Sequence, residues 1–323
     1  MTPEQALLRV IHCLDRGRES GFKAKAFTRA LDVVRSTPAD ELAARHVLAA
    51  VIADALAGRE PAYLAKMEAE SQVPITPEGQ VYRNALRGDC HLHSTWSDGG
   101  APVEAMAATA IAIGHEYMVQ TDHSARLTIA HGLNEQRLAE QLDQIAAVNA
   151  DISAAGHDFR ILSGMEVDIL EDGSLDLSDH MLARLDVVVA SVHSKLRMER
   201  QQMTERMLMA VASPHVDILG HCTGRMIGKR PPSEFDADYV FAACAQFNTA
   251  VEINCRPERL DPPRELLDVA IEYGCWFSID TDAHATGQLE WQALGCDRAA
   301  ERGVPIERII NTMSADDLLA WTG

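Results

Sequence analysis

The sequence predicts an α/β protein in which a small all-α domain precedes a barrel of about seven βα units. From residue 88 onward, short apolar runs alternate with amphipathic segments, whereas the first 70 residues show only helical periodicity. In addition, nearly every short apolar run is followed at once by a histidine or a carboxylate. With 323 residues, the chain is long enough for one large domain and one small domain.

The first 70 residues predict a small helical domain. Apolar residues recur at helical spacing in the first predicted helix, and Gly17 and Gly21 mark its end. The further predicted helices are Phe22–Arg35, a third that opens at Pro38-Ala39-Asp40 and runs to Leu56, and a short fourth over Pro61–Glu70. Residues 71–87 contain two prolines, one glycine and little periodicity, so we expect them to form a linker.

The barrel is predicted for residues 88–323 from the order of its elements. The runs of strand length are Tyr117–Gln120, Arg160–Val167, Asp186–Val192, Val216–Gly220, Ala250–Asn254 and Trp276–Asp280. The amphipathic segments between them are Pro102–Gly114, Asn134–Ala155, Met203–Val211, Tyr239–Phe247, Pro263–Tyr273 and Gln288–Gly303. Strands that alternate with helices favour a parallel sheet closed into a barrel.

The composition excludes several classes of protein. Hydrophobic residues make up 47% and charged residues 24% of the chain, which excludes a disordered or fibrous protein. No apolar stretch reaches the roughly 18–20 residues that span a bilayer, and the start of the chain lacks the pattern of a signal peptide. Seven scattered cysteines without a CxxC motif indicate free thiols, so we expect a cytoplasmic protein without a membrane partner.

The net charge of −19 is unevenly distributed. Residues 1–85 carry 11 basic and 11 acidic side chains, whereas residues 86–323 carry 18 and 37. The acidic second part disfavours broad coating by nucleic acid. The first part, however, contains a basic segment over residues 16–35, with six basic residues against two acidic ones.

Side chains that can bind metals follow the predicted strands. They are His91, His93, Asp98, His123, Glu166, His193, His221, Asp282 and His284. Because the active site of a βα barrel lies at the carboxyl ends of its strands, we expect them to converge on one rim. His91 and His93 are two residues apart and face the same side, so they could share one metal. Any one of these residues alone is more often structural, but their repetition after successive strands favours one cluster.

Nine candidate ligands exceed the three or four of a single catalytic zinc, and they suit two or three divalent metals bridged by carboxylates. The mixture of imidazole and carboxylate is compatible with Zn, Mn or Fe. No GxSxG motif, P-loop or GxGxxG motif occurs, so metal-assisted hydrolysis is the leading class of reaction. Of the other histidines, most of which we expect at the surface, His131 is the one that could contact substrate.

Seven motifs resemble, in order, those of the PHP (polymerase and histidinol phosphatase) family, and in particular the C-terminal PHP domain of bacterial family X DNA polymerases. They are HLHSTWSDG (91–99), TDHS (121–124), GMEVDI (164–169), VVVASVHSKL (187–196), GHCTGR (220–225), VEINCRPERLD (251–261) and IDTDAH (279–284). The resemblance covers residues 86–323. It implies a distorted (β/α)7 barrel, similar to a TIM barrel, that holds up to three metals.

The same resemblance implies roles for individual residues. The implied ligand sets are His91, His93, Glu166 and Asp282 for the first metal, Glu166, His193 and His221 for the second, and Asp98, His123 and His284 for the third. Glu166, His193 and Asp282 are the implied catalytic residues. Arg225 and Lys195 are basic and lie next to ligands in the sequence, so we assign them to substrate phosphate. The alternative for both is a salt bridge to a neighbouring acid.

The segment GFKAKAFTRALDVV (21–34) is similar to the N-terminal helical DNA-binding domain of the same polymerases. This similarity implies that Lys23, Lys25 and Arg29 contact nucleic acid. The glycine-rich turn of that domain is missing from residues 36–60, and the polymerase palm with its paired aspartates is absent from the sequence. We therefore expect a nuclease domain joined to a remnant of a DNA-binding domain, and no polymerase.

Three functions remain open from the sequence. The first is a 3′–5′ exonuclease or 3′-end-processing phosphodiesterase in DNA repair, acting on DNA or RNA ends through a metal-activated water. The second is a phosphatase for histidinol phosphate or for a nucleotide or sugar phosphate, which the acidic barrel favours. The third is a scaffold without activity, which the complete ligand set disfavours. No protein partner is evident.

Overall fold

The computed structural model describes residues 1–19, 21–37 and 49–323. The chain divides into two compact units. The first comprises Met1–Pro74 with Ala285–Glu290, and the second comprises Ile75–His284 with Trp291–Gly323. The predicted start of the third helix, at residues 38–40, lies outside the described residues.

The first unit is helical. Its helices are α1 (Pro3–Arg16), α2 (Gly21–Ser36), α3 (Ala49–Leu56) and α4 (Ala62–Glu70). α1 begins at a capping box, in which the Thr2 side chain accepts from the main-chain N–H of Gln5 at 3.2 Å and the Gln5 side chain accepts from that of Thr2 at 2.8 Å. Phe27 of α2 stacks on Tyr63 of α4 with ring centroids 5.6 Å apart, within an apolar core of the unit.

A further helix, α5 (Pro77–Ala85), lies inside the segment that we expected to be a linker. The Thr76 hydroxyl accepts from the main-chain N–H of Gly79 at 3.0 Å, and Pro77 occupies the first turn, where its missing N–H costs nothing. The Tyr82 hydroxyl donates to the carbonyl of Val304 at 2.8 Å, so α5 is packed into the second unit.

The second unit is built around seven parallel strands that pair in sequence order. The strands are β1 (Gly88–Leu92), β2 (Tyr117–Gln120), β3 (Arg160–Asp168), β4 (Val187–Ser191), β5 (Ile218–Leu219), β6 (Ala250–Asn254) and β7 (Phe277–Asp280). Each predicted strand run contains an observed strand. Almost all strand residues are buried, as expected for a parallel sheet covered on both faces.

The helices that follow α5 are α6 (Val103–Ala112), α7 (Glu135–Ala154), α8 (Asp179–Leu182), α9 (Arg200–Val211), α10 (Ala237–Phe247), α11 (Arg264–Glu272), α12 (Gln292–Arg302) and α13 (Ala315–Thr322). Since they alternate with the strands, they cover the outside of the sheet. No helix in the described part of the chain is both long and apolar enough to cross a membrane.

The last strand returns to the first. The main-chain N–H of Asp282 donates to the carbonyl of His91 at 2.9 Å, and that of His93 donates to the carbonyl of Ala283 at 2.7 Å. These bonds join the chain just after β7 to the end of β1, so the sheet is a nearly closed barrel. The predicted fold class is therefore confirmed, and the residues that follow the strands share one end of the barrel.

Candidate metal centre

All nine predicted ligands lie at the carboxyl end of the barrel, in or just after its strands. Their positions are His91 in β1, His93 just after it, Asp98 in the next loop, His123 after β2, Glu166 in β3, His193 after β4, His221 after β5, and Asp282 and His284 after β7. Three overlapping groups of their donor atoms are close enough to hold a metal ion.

The first group contains His91, His93 and Asp282. The Nε2 atom of His93 lies 3.2 Å from Nε2 of His91 and 3.4 Å from Oδ1 of Asp282. Glu166 reaches the same place, because its Oε2 lies 3.4 Å from Nε2 of His91 and 3.6 Å from Nε2 of His93. Two donors bound to one tetrahedral zinc at about 2.1 Å are themselves about 3.4 Å apart. These four side chains could therefore hold one metal.

Glu166 turns its other oxygen to a second set of imidazoles. Its Oε1 lies 2.9 Å from Nε2 of His221 and 3.2 Å from Nε2 of His193. His123 is also close, with its Nδ1 at 2.7 Å from Oε2 of Glu166. Because the two oxygens face different groups, this carboxylate could bridge two metals.

The third group joins Asp98, His123 and His284, with His93 beside them. The Oδ1 atom of Asp98 lies 3.3 Å from Nε2 of His284 and 3.6 Å from Nε2 of His123. These separations again match donors that share one ion better than they match hydrogen bonds.

The loop that presents Asp98 is folded by a buried carboxylate. The Oδ1 atom of Asp122 accepts from the main-chain N–H groups of Ser94 at 2.9 Å and Ser97 at 3.0 Å. Gly99 passes so close to Ser94 that a Cβ at that position would lie 2.6 Å from its carbonyl oxygen. Glycine is therefore required for the turn in the SDGG sequence.

The residues present fit bound cations. Among the described residues, buried polar atoms that lack a hydrogen bond of acceptable geometry include both oxygens of Glu166, Nδ1 of His93, Nε2 of His193 and both ring nitrogens of His221. Such atoms are costly to bury without a partner, and shared divalent ions would satisfy most of them. A set of imidazole and carboxylate donors suits Zn, Mn or Fe.

The pKa values of the proposed ligands are shifted in different directions. Burial alone would raise the pKa of Glu166, but the surrounding His193, His123 and His91 outweigh burial and hold that pKa well below its usual value. Burial lowers the pKa of His93 well below its ordinary value, and it also lowers the pKa of His221. Against the effect of burial, the charge of Glu166 raises the pKa of His193 to about 9, and Glu252 and Glu166 raise the pKa of His91 well above its usual value. Because an ionised carboxylate and neutral imidazoles are the forms that bind metals, metal binding would release the protons of His91 and His193.

Two carboxylates that the sequence analysis missed orient the imidazoles. Oε1 of Glu252, in β6, lies 2.6 Å from Nδ1 of His91, and Oδ1 of Asp168 lies 2.8 Å from Nδ1 of His193. Each leaves Nε2 of its histidine directed at Glu166. Asp168 is two residues after Glu166 in the same strand, and this alternation could have revealed it. Glu252 interrupts an apolar run just as Glu166 does.

Two arginines next to the site were also missed. Arg256 Nη1 lies 3.3 Å and Arg259 Nε lies 3.1 Å from the carboxylate oxygens of Asp282. Asp282 itself has a φ of 51°, which is uncommon for a residue other than glycine. The arginines lie in the loop after β6 and bring positive charge to the edge of the three donor groups.

The residues assigned to substrate phosphate do not join the donor groups. The Arg225 side chain donates from Nε to the carbonyl of Arg259 at 2.8 Å and from Nη2 to the carbonyl of Leu260. Lys195 is exposed, with a φ of 52°. His131 is exposed too, and its carbonyl accepts from Nη1 of Arg137. The salt-bridge alternative does not hold for Arg225, whose guanidinium bonds to main-chain carbonyls.

The three basic residues assigned to nucleic acid, Lys23, Lys25 and Arg29, lie on α2 and are exposed. Lys25 and Arg29 are four residues apart and so share a face of the helix with Phe22, whose side chain is 86% exposed. Lys23 lies on another face and pairs with Glu19 at 2.7 Å.

Comparison with known proteins gives a family match and relatives of two kinds. Residues 89–255 match the PHP domain family. The DNA polymerase/3′–5′ exonuclease PolX of Bacillus subtilis (strain 168) is 40% identical over 236 residues, which are 73% of this chain and 41% of that protein. The chain therefore spans less than half the length of this relative. A candidate phosphatase of Aliivibrio fischeri (strain MJ11) is 27% identical over 213 residues, 62% of this chain and 78% of that protein.

A solved structure supports the fold. The crystal structure of a candidate histidinol phosphatase from Listeria monocytogenes matches with a TM-score of 0.51 at 16% identity. The match covers 62% of this chain and 97% of that one.

Proposed function

The chain belongs to the PHP family and is a metal-dependent phosphoesterase, and from this premise we propose that it removes nucleotides from the 3′ end of DNA. We place it in DNA repair, as a 3′–5′ exonuclease or 3′-end-processing phosphodiesterase. The observation that carries the proposal is the 40% identity with the B. subtilis PolX protein across most of this chain. The relatives named as phosphatases are less similar; the A. fischeri protein is 27% identical.

The helical unit supports a nucleic-acid substrate. Phe22, Lys25 and Arg29 share an exposed helix face that combines an aromatic ring with two positive charges. Surfaces that bind single strands use this combination, because the ring stacks on a base while the charges contact phosphates. We propose that Lys25 and Arg29, with Lys23 in a lesser role, contact the DNA.

In the barrel, we propose that the nine residues hold two or three divalent metals, with Glu166 between the first and the second. Such metals supply Lewis-acid stabilisation of the phosphate and activation of water. Glu252 and Asp168 fix the rings of His91 and His193, and they thereby set which nitrogen of each ring faces Glu166. Arg256, a hydrogen bond with His93, and Arg259 together hold the pKa of Asp282 well below its usual value against the effect of burial.

The second candidate is a phosphatase for a small phosphate monoester. Its support is the candidate phosphatases among the relatives and the acidity of residues 86–323, which hold 18 basic and 37 acidic side chains. An acidic surface repels a long polyanion more than a single phosphate.

We propose a cytoplasmic location, because all seven cysteines are free and buried.

One assay separates the two candidates. The protein, loaded with Mn²⁺ or Zn²⁺, is incubated in parallel with a 5′-labelled single-stranded DNA and with a panel of monoesters that includes histidinol phosphate. We expect a ladder of labelled products that shortens from the 3′ end, lost in His193→Ala. An intact DNA band together with phosphate release from a monoester would overturn the proposal in favour of the phosphatase.

A further inference from the structure

Two loops at the rim of the barrel carry a net positive charge. Residues 192–199 follow β4 and residues 220–236 follow β5, and together they contain five basic and three acidic side chains. The three acidic residues, Glu199, Glu234 and Asp236, all lie close to the helices that end the loops, α9 and α10. The chain as a whole has a net charge of −19. Each loop begins with or contains a proposed metal ligand, His193 or His221, so this charge lies beside the site of chemistry.

The two loops form one surface. The Ser233 hydroxyl donates to the carbonyl of Leu196 at 2.8 Å, which joins the second loop to the first. Gly224 packs so closely on Leu196 that a Cβ there would lie 2.7 Å from its Cδ2 atom. The two loops are therefore in direct contact with each other.

Three of the five basic side chains are available to a ligand. Arg225 and Arg230 hold the loop, since Arg230 donates from Nε to the carbonyl of Gly224 at 2.7 Å and Arg225 donates to two main-chain carbonyls. The others are Lys195, Arg197 and Lys229, which are exposed. Within the described ranges, the side chains of these three take part in no ion pair or hydrogen bond.

The neighbouring loop has the opposite charge. Residues 169–178, between β3 and α8, contain three acidic residues and no basic one. Because β3 and β4 are adjacent, the rim changes from acidic to basic between these two strands. A polyanion bound at the donor groups is repelled on the β3 side and attracted on the β4–β5 side.

We propose that the loops after β4 and β5 bind the DNA single strand that leads to the scissile bond. The phosphates upstream of the 3′ end contact Lys195, Arg197 and Lys229, which a phosphate monoester cannot do because it has no upstream phosphates. This inference rests on the proposed exonuclease function and adds the path of the strand. These two loops thus make the protein specific for a polymer over a phosphate monoester.

The test compares long and short substrates in two matched variants. Arg197→Gln/Lys229→Gln removes two charges from the loops, and Arg87→Gln/Arg160→Gln removes two exposed charges next to the starts of β1 and β3, at the other end of the barrel. Each metal-loaded protein receives a single-stranded DNA of about 12 nucleotides, within the range covered by one binding groove, and a dinucleotide. The kcat/KM values are measured between about 50 and 200 mM salt. Melting temperatures confirm that both variants are folded.

In the loop variant, we expect the ratio of kcat/KM for the long DNA to kcat/KM for the dinucleotide to fall by about tenfold. We also expect the slope of log kcat/KM for the long DNA against log salt concentration to become shallower by about 1.4, since each lost contact to a single strand removes about 0.7. The control variant keeps the wild-type ratio and slope. If the wild type shortens the DNA but the loop variant keeps its ratio and slope, the strand path is wrong and the exonuclease proposal stands. If the wild type leaves the DNA intact, the exonuclease proposal itself fails. If the wild type instead cleaves an RNA of the same length, DNA is not the ligand of these loops.

Discussion

Glu252 contacts two proposed metal ligands from different strands. Its Oε1 lies 2.6 Å from Nδ1 of His91, and its Oε2 accepts from the main-chain N–H of His221. Both contacts are fully buried, so one carboxylate fixes the ring of one ligand and the main chain of the other. Carboxylates that hold a ligating imidazole set its tautomer and orientation, and their loss weakens metal binding.

Glu252→Gln should therefore weaken metal affinity by roughly 10–100-fold while keeping the shape of the side chain. The measurement is a competition titration of the metal-free protein with a chelator of known affinity. Glu171→Gln, an exposed carboxylate after β3, is the matched control and should bind as the wild type does. Equal affinities in the Glu252 and Glu171 variants would show that Glu252 does not position a ligand.

The barrel and the candidate metal ligands could be predicted from the sequence, because both follow from short repeating patterns of apolar and polar residues. The parallel strands of a barrel end on the same rim. A histidine that directly follows an apolar run, such as His193, can therefore be placed at that rim from the sequence alone. Glu252 and Asp168 each interrupt a local apolar pattern, but their role could not be predicted because it depends on contacts between strands. Glu252 in β6 contacts His91 in β1, and Asp168 in β3 contacts His193 after β4. Helix α5 was not predicted, because a proline such as Pro77 suits both a linker and the first turn of a helix.

His193→Ala and Asp282→Ala should each lower phosphoesterase turnover by roughly a hundredfold or more, because each removes a donor from the proposed centre. The measurement is initial rates on a chromogenic phosphodiester with saturating metal, with circular dichroism to confirm the fold. His180→Ala, which removes an exposed histidine in α8, should keep wild-type rates. Full activity in either of the first two variants would mean that the centre has been assigned wrongly.

Substitutions of the basic residues on α2 should lower DNA cleavage to different extents. Lys25→Glu and Arg29→Glu should each lower cleavage of single-stranded DNA, relative to a chromogenic diester, by about tenfold, since an attractive phosphate contact becomes repulsive. Lys23→Glu should have a smaller effect because Lys23 pairs with Glu19. Lys66→Glu, on α4, is the control. Equal losses on both substrates would contradict a DNA contact.

Buried His115 predicts acid sensitivity of the barrel. Burial, and then the charge of Arg83, lower its pKa to about 3, against about 6.5 in an unfolded chain. Between these values the unfolded chain binds a proton that the folded chain does not, so stability falls as the pH is lowered through this window. For this group the loss from pH 7 to pH 5 is about 2 kcal/mol.

His115→Gln should remove that part of the pH dependence. The free energy of unfolding in urea is measured for the metal-free wild type and variant at pH 7 and at pH 5. The loss of stability between the two pH values is then compared between the two proteins, so that a loss of packing that does not depend on pH cancels. If the variant loses as much stability as the wild type between the two pH values, His115 is not the group that titrates.

The most direct test of the account is the metal content of the wild type and of Asp98→Asn after dialysis against Mn²⁺ or Zn²⁺, measured by plasma mass spectrometry. Asp98 belongs only to the group with His123 and His284, whereas Glu166 serves the other two. We predict two or three ions per chain in the wild type, one for each occupied donor group, and one fewer in Asp98→Asn. A single ion in the wild type, or an unchanged content in the variant, would contradict a multinuclear centre built from these nine residues.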